Sequence, residues 1–172
     1  MDIQRRHFLR GRLSARHTGL FPPWIREDIN FHNQCTQCGE CIAACSEGIL
    51  IKNEDGFPQV DFKKGGCVFC GDCARACAHD VFKQDLDSKP WQQVANIEID
   101  CLTYKGVACQ SCQDSCDSHA IRFEYAVGWT PRPAVNTDTC NGCGMCVQVC
   151  PAEAINVMPV QTKGQKSYAQ SA

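Results

Sequence analysis

Apolar residues occur in short runs along the chain, and the clearest pair of runs predicts a β-hairpin. Residues 49–51 are Ile-Leu-Ile, residues 53–56 are the turn-forming Asn-Glu-Asp-Gly, and the apolar Val60 and Phe62 follow. Two β-type runs separated by a polar, glycine-containing segment are typical of antiparallel strands and their turn. We therefore expect a hairpin over residues 49–62, leading directly to Cys67.

The same pattern recurs in the second half of the chain. Residues 120–125 (Ala-Ile-Arg-Phe-Glu-Tyr) are followed by two prolines and then by Ala-Val-Asn at 134–136, which predicts a second hairpin with a longer loop. Another β-type run, residues 97–100, leads into Cys101. Repetition of one supersecondary unit indicates an internal duplication.

The chain has 16 cysteines, which form four groups of four with none left over. Three groups have the spacing C-x2-C-x2-C-x3-C, and the third has C-x7-C-x2-C-x3-C. The groups are Cys35/Cys38/Cys41/Cys45, Cys67/Cys70/Cys73/Cys77, Cys101/Cys109/Cys112/Cys116 and Cys140/Cys143/Cys146/Cys150. This is the run with which bacterial ferredoxins hold [4Fe–4S] clusters, so we expect four such clusters.

The spacing also predicts which thiolates share a cluster. Three cysteines at intervals of three wrap one cube, whereas the fourth lies about 6 Å further along a helix. In two-cluster ferredoxins this fourth cysteine binds the neighbouring cube, so the groups pair first with second and third with fourth. The predicted ligand sets are Cys35/Cys38/Cys41/Cys77, Cys67/Cys70/Cys73/Cys45, Cys101/Cys109/Cys112/Cys150 and Cys140/Cys143/Cys146/Cys116. The predicted fold is α+β, with two tandem ferredoxin-like modules of short helices and hairpins behind an N-terminal basic arm.

Two other uses of cysteine compete with cluster binding. Zinc sites normally combine two C-x2-C pairs a dozen or more residues apart, or include histidine. Disulfides suit a cysteine-rich chain with an even count, but cysteines this close would form strained local bridges. The spacing favours clusters over both.

Composition makes the clusters part of the fold. Hydrophobic residues make up 44% of the 172 residues, but this figure includes the cysteines, so the remaining core is thin. Small modules with thin hydrophobic cores need a further source of stability, such as a metal site. We therefore expect these modules to fold and to bind their clusters in one event. The formal charge is −2, and four loaded clusters would take it to roughly −10, which argues against nucleic-acid binding. No apolar stretch approaches the 18 residues of a membrane span.

The chain divides into four predicted units: a basic arm with a Pro-Pro-Trp linker (1–30), two two-cluster modules (31–96 and 97–160) and a polar tail (161–172). The arm contains Arg5 and Arg6, which look like a twin-arginine export signal. Such a signal also needs an apolar segment of 7–15 residues, and residues 10–19 are basic and polar. We therefore expect a cytoplasmic protein whose Arg5 and Arg6 either remain solvated or contact a partner.

Several positions depart from the simplest ferredoxin pattern. Proline often follows the fourth cysteine, but Ser46, Ala78 and Asp117 stand there in the first three groups. Two histidines, His79 and His119, lie just past cluster motifs, where a surface position is the simplest expectation. The wide gap in the third group places one ligand on a longer loop, which predicts a more labile cluster.

Together these features resemble the NapF family, ferredoxin-type accessory proteins of periplasmic nitrate reductase. The resemblance rests on Arg5-Arg6, on residues 22–24 (Pro-Pro-Trp), on residues 56–62 (Gly-Phe-Pro-Gln-Val-Asp-Phe), on the first cysteine run and, most specifically, on the wide third run at 101–116. It implies a cytoplasmic protein that helps the catalytic subunit NapA acquire its own [4Fe–4S] cluster before export.

Two function classes remain open from the residues alone. One is a maturation factor for NapA, and the other is a polyferredoxin electron-transfer subunit of a redox enzyme. No G-x-G-x-x-G dinucleotide motif and no catalytic triad is recognisable in the sequence, so we expect that the protein is not itself an enzyme.

Overall fold

The structure, a computed structural model, describes residues 19–125 and 130–160. Arg5, Arg6 and the tail predicted at 161–172 lie outside the described residues. Within those residues, no helix is long and apolar enough to cross a membrane.

All regular elements in the described residues are short. The α-helices are α1 Phe31–Gln34, α2 Glu40–Ala43, α3 Asp72–Arg75, α4 Ser111–Asp114 and α5 Met145–Gln148, with one 3₁₀ helix at Leu102–Lys105. The strands are β1 Leu50–Lys52, β2 Pro58–Val60, β3 Gln93–Ile97, β4 Ile121–Glu124, β5 Arg132–Val135 and β6 Ile155–Pro159. They form three separate two-stranded antiparallel sheets, β1–β2, β3–β6 and β4–β5.

Both hairpins predicted from the apolar runs are present. In the first, Leu50 pairs with Val60, and the Asn53 side-chain oxygen accepts hydrogen bonds from the amides of Asp55 and Phe57 to close the turn. In the second, Ile121 pairs with Val135 across β4 and β5. The α+β class with two hairpin-containing modules is confirmed.

The strand expected at residues 97–100 was placed too late. Strand β3 covers Gln93–Ile97, so only Ile97 of that run is in a strand, and Ile99 is 82% exposed. The strand pairs with β6, in register from Gln93↔Pro159 to Ile97↔Ile155. The alternation of apolar and polar residues at 97–100 does not mark the position of the strand, because the side chains that the strand buries, Val94 and Ala95, lie before residue 97.

The first module has a shorter version of the same closing sheet. Ile25 forms one isolated antiparallel bridge with Phe82, and the amides of Arg26 and Lys83 donate to the carbonyls of Val81 and Trp24. Hydrogen bonds from the Arg26 guanidinium to Asp28 and Asp80 reinforce this closure. In both modules, therefore, a segment before the first cysteine motif pairs with one after the second.

The two hydrophobic cores differ in composition. Around the first two cysteine motifs the core is largely aromatic, with Trp24, Phe31, Phe57, Phe62, Phe82 and Trp91 all buried. Around the last two it is mainly small and aliphatic, with Val94, Ala95, Ala120, Ile121, Phe123 and Ile155. Trp24 is 3% exposed, so the Pro-Pro-Trp segment packs into the first core. The unit boundaries at residues 30, 96 and 160 stay predictions.

Candidate iron–sulfur sites

Each cysteine motif forms a loop that enters a one-turn helix. In the first, second and fourth motifs the residue between loop and helix is a glycine, Gly39, Gly71 or Gly144, with φ of 89°, 79° and 80°. This left-handed conformation suits glycine because it has no Cβ. It lets the chain turn sharply between the second and third cysteines of each motif.

Backbone amides in these loops point at the thiols. Gln37, Phe69 and Gly142, each just before the second cysteine of its motif, also have positive φ, at 61°, 54° and 70°. The Gln37 amide hydrogen-bonds Cys35, and the Phe69 amide hydrogen-bonds Cys67. Amides aimed at sulfur stabilise the thiolate, which is the form that binds iron.

The structure groups the thiols of the first module across its two motifs. Burial, together with the nearby Cys35, Cys77 and Cys38, raises the pKa of Cys41 to about 11. Cys67 lies beside both Cys70 and Cys45, and burial raises its pKa to about 11 as well. Burial is the main cause that raises the pKa of Cys73 to about 12, and Cys67, Cys41 and Cys70 contribute to the same shift. Cys77 thus joins the first motif, and Cys45 joins the second.

The second module repeats this exchange. Burial, together with the nearby Cys101, Cys109 and Cys150, raises the pKa of Cys112 to about 11. For Cys146 burial raises the pKa to about 12, and the neighbouring thiols are those of Cys143, Cys140, Cys112 and Cys116. Cys150 therefore lies near the third motif and Cys116 near the fourth, while Cys112 of the other predicted set also lies near Cys146. The division of these thiols between two clusters stays a prediction.

Two of the predicted ligand sets line small apolar cavities. The first cavity is lined by Cys35, Cys38, Cys41 and Cys77 with Phe31, Ile42, Val81 and Phe82. The second is lined by Cys45, Cys67, Cys70 and Cys73 with Trp24, Ile49 and Leu50. Within the described residues no group of His, Cys, Asp or Glu side chains converges tightly enough for a single metal ion. Thiols spread around an apolar cavity fit a cube, whose four irons each take one thiolate, better than one tetrahedral zinc.

The comparisons with known proteins match this arrangement. A family model described as a 4Fe-4S dicluster domain matches twice, at residues 34–81 and 106–154. The ferredoxin-type protein NapF of Haemophilus influenzae is 43% identical over 166 residues, covering 91% of this chain and 94% of that protein. The NapF protein of Escherichia coli is 39% identical over 155 residues, covering 90% and 94%. The chain belongs to the NapF family.

Membership in this family makes the chain a ferredoxin-type iron–sulfur protein of the 4Fe-4S class. A more distant relative, the ferredoxin-type protein NapG of Haemophilus influenzae, is 29% identical over 164 residues, covering 82% of this chain and 59% of that protein. The second dicluster match begins at residue 106 and so leaves out Cys101. The wide third motif is therefore where this NapF-family chain departs from the general dicluster pattern.

The third loop also differs in backbone conformation. Its extra residues form the 3₁₀ helix Leu102–Lys105, which ends at Gly106 with φ 82°. Gln110 stands where the other motifs have glycine, and its φ of −133° is that of an ordinary residue. The loop of the third motif therefore makes a different turn from those of the other three.

Hydroxyl groups contact three of the four cysteines in the third motif. The Thr103 hydroxyl lies 3.3 Å from the Cys101 sulfur, the Ser111 hydroxyl 3.7 Å from Cys109 and the Ser118 hydroxyl 3.5 Å from Cys116. Thr103 is 4% exposed and is the one buried polar residue in the described part of the chain. Sequence reasoning missed these residues, although a hydroxyl two positions after a cysteine is visible in all three cases.

The other residues singled out in the sequence lie outside the predicted ligand sets. His79 and His119 are both exposed, as expected of surface residues, although His79 lies at the rim of the first cavity. Asp117 lies near Cys143, where its carboxylate helps burial to raise the pKa of that thiol. A negative charge beside the fourth ligand set disfavours further negative charge there.

Proposed function

We propose that the chain holds four [4Fe–4S] clusters in the crossed ligand sets predicted from the sequence. The support is the thiol neighbourhoods, in which the last cysteine of each motif lies with the first three of its partner. The clusters would supply one-electron chemistry or iron and sulfide, while the protein contributes thiolates, amide donors and apolar walls. Anaerobically reconstituted protein should contain about 16 iron and 16 acid-labile sulfide per chain. Stoichiometric zinc with little sulfide would contradict the proposal.

We further propose that the protein acts in the cytoplasm on the catalytic subunit NapA of periplasmic nitrate reductase. There it would assist assembly of the [4Fe–4S] cluster of NapA before export, as an accessory protein and not as an enzyme itself. The similarity to NapF proteins over nine-tenths of the chain supports this role. The basic arm would contribute through Arg5 and Arg6, whose charges steer association with an acidic surface.

The observation that carries this role is the apolar surface around the third loop. Six large apolar side chains are exposed in the described part of the chain, and four of them lie in or beside the third motif. Ile99 just precedes the motif, Tyr104 and Val107 lie in its long first gap, and Tyr125 contacts Gln110. The Gln110 amide group donates to the Tyr125 hydroxyl at 2.8 Å, which holds this ring beside the loop. Clustered exposed apolar residues mark protein-binding sites, and here they adjoin the cluster with the unusual ligand loop.

An anaerobic pull-down tests this surface directly. Tagged wild type should capture apo-NapA from cytoplasm, and Val107→Ser/Tyr125→Ser should lose most of that capture while keeping its full iron content. Val149→Ser, at an exposed position in the fourth motif, is the matched control and should bind like wild type. Equal capture by all three proteins would count against the surface, and capture by none would count against NapA as partner.

A second candidate function is that of an electron-transfer subunit, favoured by the direct contact between the second and fourth cysteine motifs described below. The two functions differ in what reaches NapA. Protein loaded with ⁵⁷Fe should transfer the label to apo-NapA if it assists assembly through iron. Label that stays in place with apo-NapA, together with reduction of the cluster in cluster-loaded NapA, would favour electron transfer. Fractionation adds a check, since mature protein in the periplasm would contradict the cytoplasmic role.

A further inference from the structure

The two modules meet through their cysteine loops. The amide of Cys67 donates to the carbonyl oxygen of Cys143 with an N–O distance of 2.7 Å. Cys67 belongs to the predicted ligand set of the second cluster and Cys143 to that of the fourth. The hydrogen bond therefore joins one ligand residue directly to another across the junction between modules.

Glycines permit this close approach from both sides. A Cβ at Gly66 would lie 2.4 Å from the Met145 sulfur and 2.9 Å from the Met145 amide nitrogen. A Cβ at Gly144 would lie 2.1 Å from the Phe62 ring. All three separations are shorter than the contact distances that a carbon atom makes with these atoms. Each loop therefore needs a residue without a side chain at this point. The contact is therefore a packed one that larger residues would separate.

Neighbouring contacts extend the junction. The Trp91 indole donates to the Asn141 carbonyl at 2.8 Å and packs edge-to-face against Phe62 at 6.1 Å. Trp91 and Phe62 are both buried, so the junction continues into the core around the first two cysteine motifs.

We propose that the second and fourth clusters are immediate neighbours across this junction, so that the four clusters form a single row ordered first, second, fourth, third. Within each module the exchanged cysteines already make the two clusters neighbours. Without the junction, the chain would hold two independent pairs. This inference rests on the four-cluster content of the proposed function but not on the role in NapA assembly.

Electron paramagnetic resonance of selectively depleted holoprotein tests the order. Cys38→Ala/Cys109→Ala removes one ligand each from the first and third clusters and leaves the second and fourth. When both are reduced, their signals should show spin–spin splitting and fast relaxation. The control, Cys70→Ala/Cys140→Ala, leaves the first and third clusters, which should give two independent signals. Independent signals from the second and fourth clusters would overturn the row.

Two adjacent glycines provide a second test that keeps every ligand. Gly66→Ala should force the loops apart and weaken the interaction, lowering several-fold the microwave power that half-saturates the signals. Gly65→Ala is the control, because its Cβ would lie 3.6 Å from the Ile49 side chain, an ordinary contact. If both glycine variants keep their full iron content and their signals half-saturate at the same microwave power, the row is refuted. This result stands by itself, even where the cysteine variants lose further clusters. An iron content well below four clusters in wild type would instead refute the proposed cluster load.

Discussion

The two modules hold similar cysteine loops with different supporting structure. In the first module, aromatic rings fill the core and the closing sheet is reduced to one bridge between Ile25 and Phe82. In the second, the core is small and aliphatic, and five residue pairs of β3 and β6 close the module. A module can therefore close either by backbone pairing or by large side chains, because in both cases the clusters are expected to supply much of the core.

A second contrast separates the third motif from the other three. Thiol exposure does not distinguish it, since Cys38 and Cys70 are exposed while Cys109 is half-buried. The third motif is distinguished by the backbone conformation of Gln110 and by the contact of the Thr103 hydroxyl with a cysteine sulfur. The lability predicted for the third cluster therefore depends on its loop and not on access of solvent to its sulfurs.

The largest expected effect is the loss of structure on cluster removal. Anaerobic chelation should unfold both modules, because neither hydrophobic core is large enough to keep its module folded without clusters. The amides of the second module should lose their protection from hydrogen exchange first, because its core side chains bury less apolar area. Hydrogen exchange followed by mass spectrometry checks the order, with β4 and β5 reporting on one module and β1 and β2 on the other. An apo form with an unchanged cooperative thermal transition would contradict the prediction.

Ligand exchange within each module predicts which cluster each cysteine serves. Cys45→Ala should remove the same cluster as Cys67→Ala and spare the one removed by Cys35→Ala. Cys116→Ala should likewise match Cys140→Ala and differ from Cys101→Ala. Each variant should lose about a quarter of the iron, on the order of four atoms. Identical reduced EPR spectra for Cys45→Ala and Cys35→Ala would show that the fourth cysteine serves its own motif.

The hydroxyl contacts predict a smaller effect confined to the second module. Thr103→Val keeps the side-chain shape but removes a donor to the Cys101 sulfur, so the third cluster should become harder to reduce. We expect its potential to fall on the order of tens of millivolts, because hydrogen bonds to sulfur raise cluster potentials. Thr36→Val, beside Cys35 in the first motif, is the control. Equal shifts in both variants under redox titration would assign the effect to polarity in general.

The pH dependence of iron retention should be the same in both modules. Burial raises the pKa of Cys73 and of Cys146 to about 12, so any thiol released from iron takes up a proton at neutral pH. Protons therefore compete with iron throughout the range from about pH 6 to 9, and retention in a fixed chelator concentration should increase with pH. Mössbauer spectra at each pH measure the loss, and retention that falls as pH rises would reverse the argument.

The sequence alone determined the features that depend on local spacing. Hairpins at 49–62 and 120–136 follow from short β-type runs around turn residues, and the cysteine loops follow from intervals of three. The exchange of the fourth cysteine is a prediction of the same kind, because a residue four positions along a short helix is expected to lie too far away to reach the same cube. Each of these inferences needs only the geometry of a few consecutive residues.

Only the tertiary structure decided which residues that are far apart in the sequence come into contact. Val94 and Ala95 show no strand alternation, yet β3 forms because β6 and the second core cover them. Likewise, the residues next to Gly66 in the sequence do not indicate that Met145 lies against it. Pairing of distant segments depends on the shape and burial of both partners at once, and this information is present in neither segment alone.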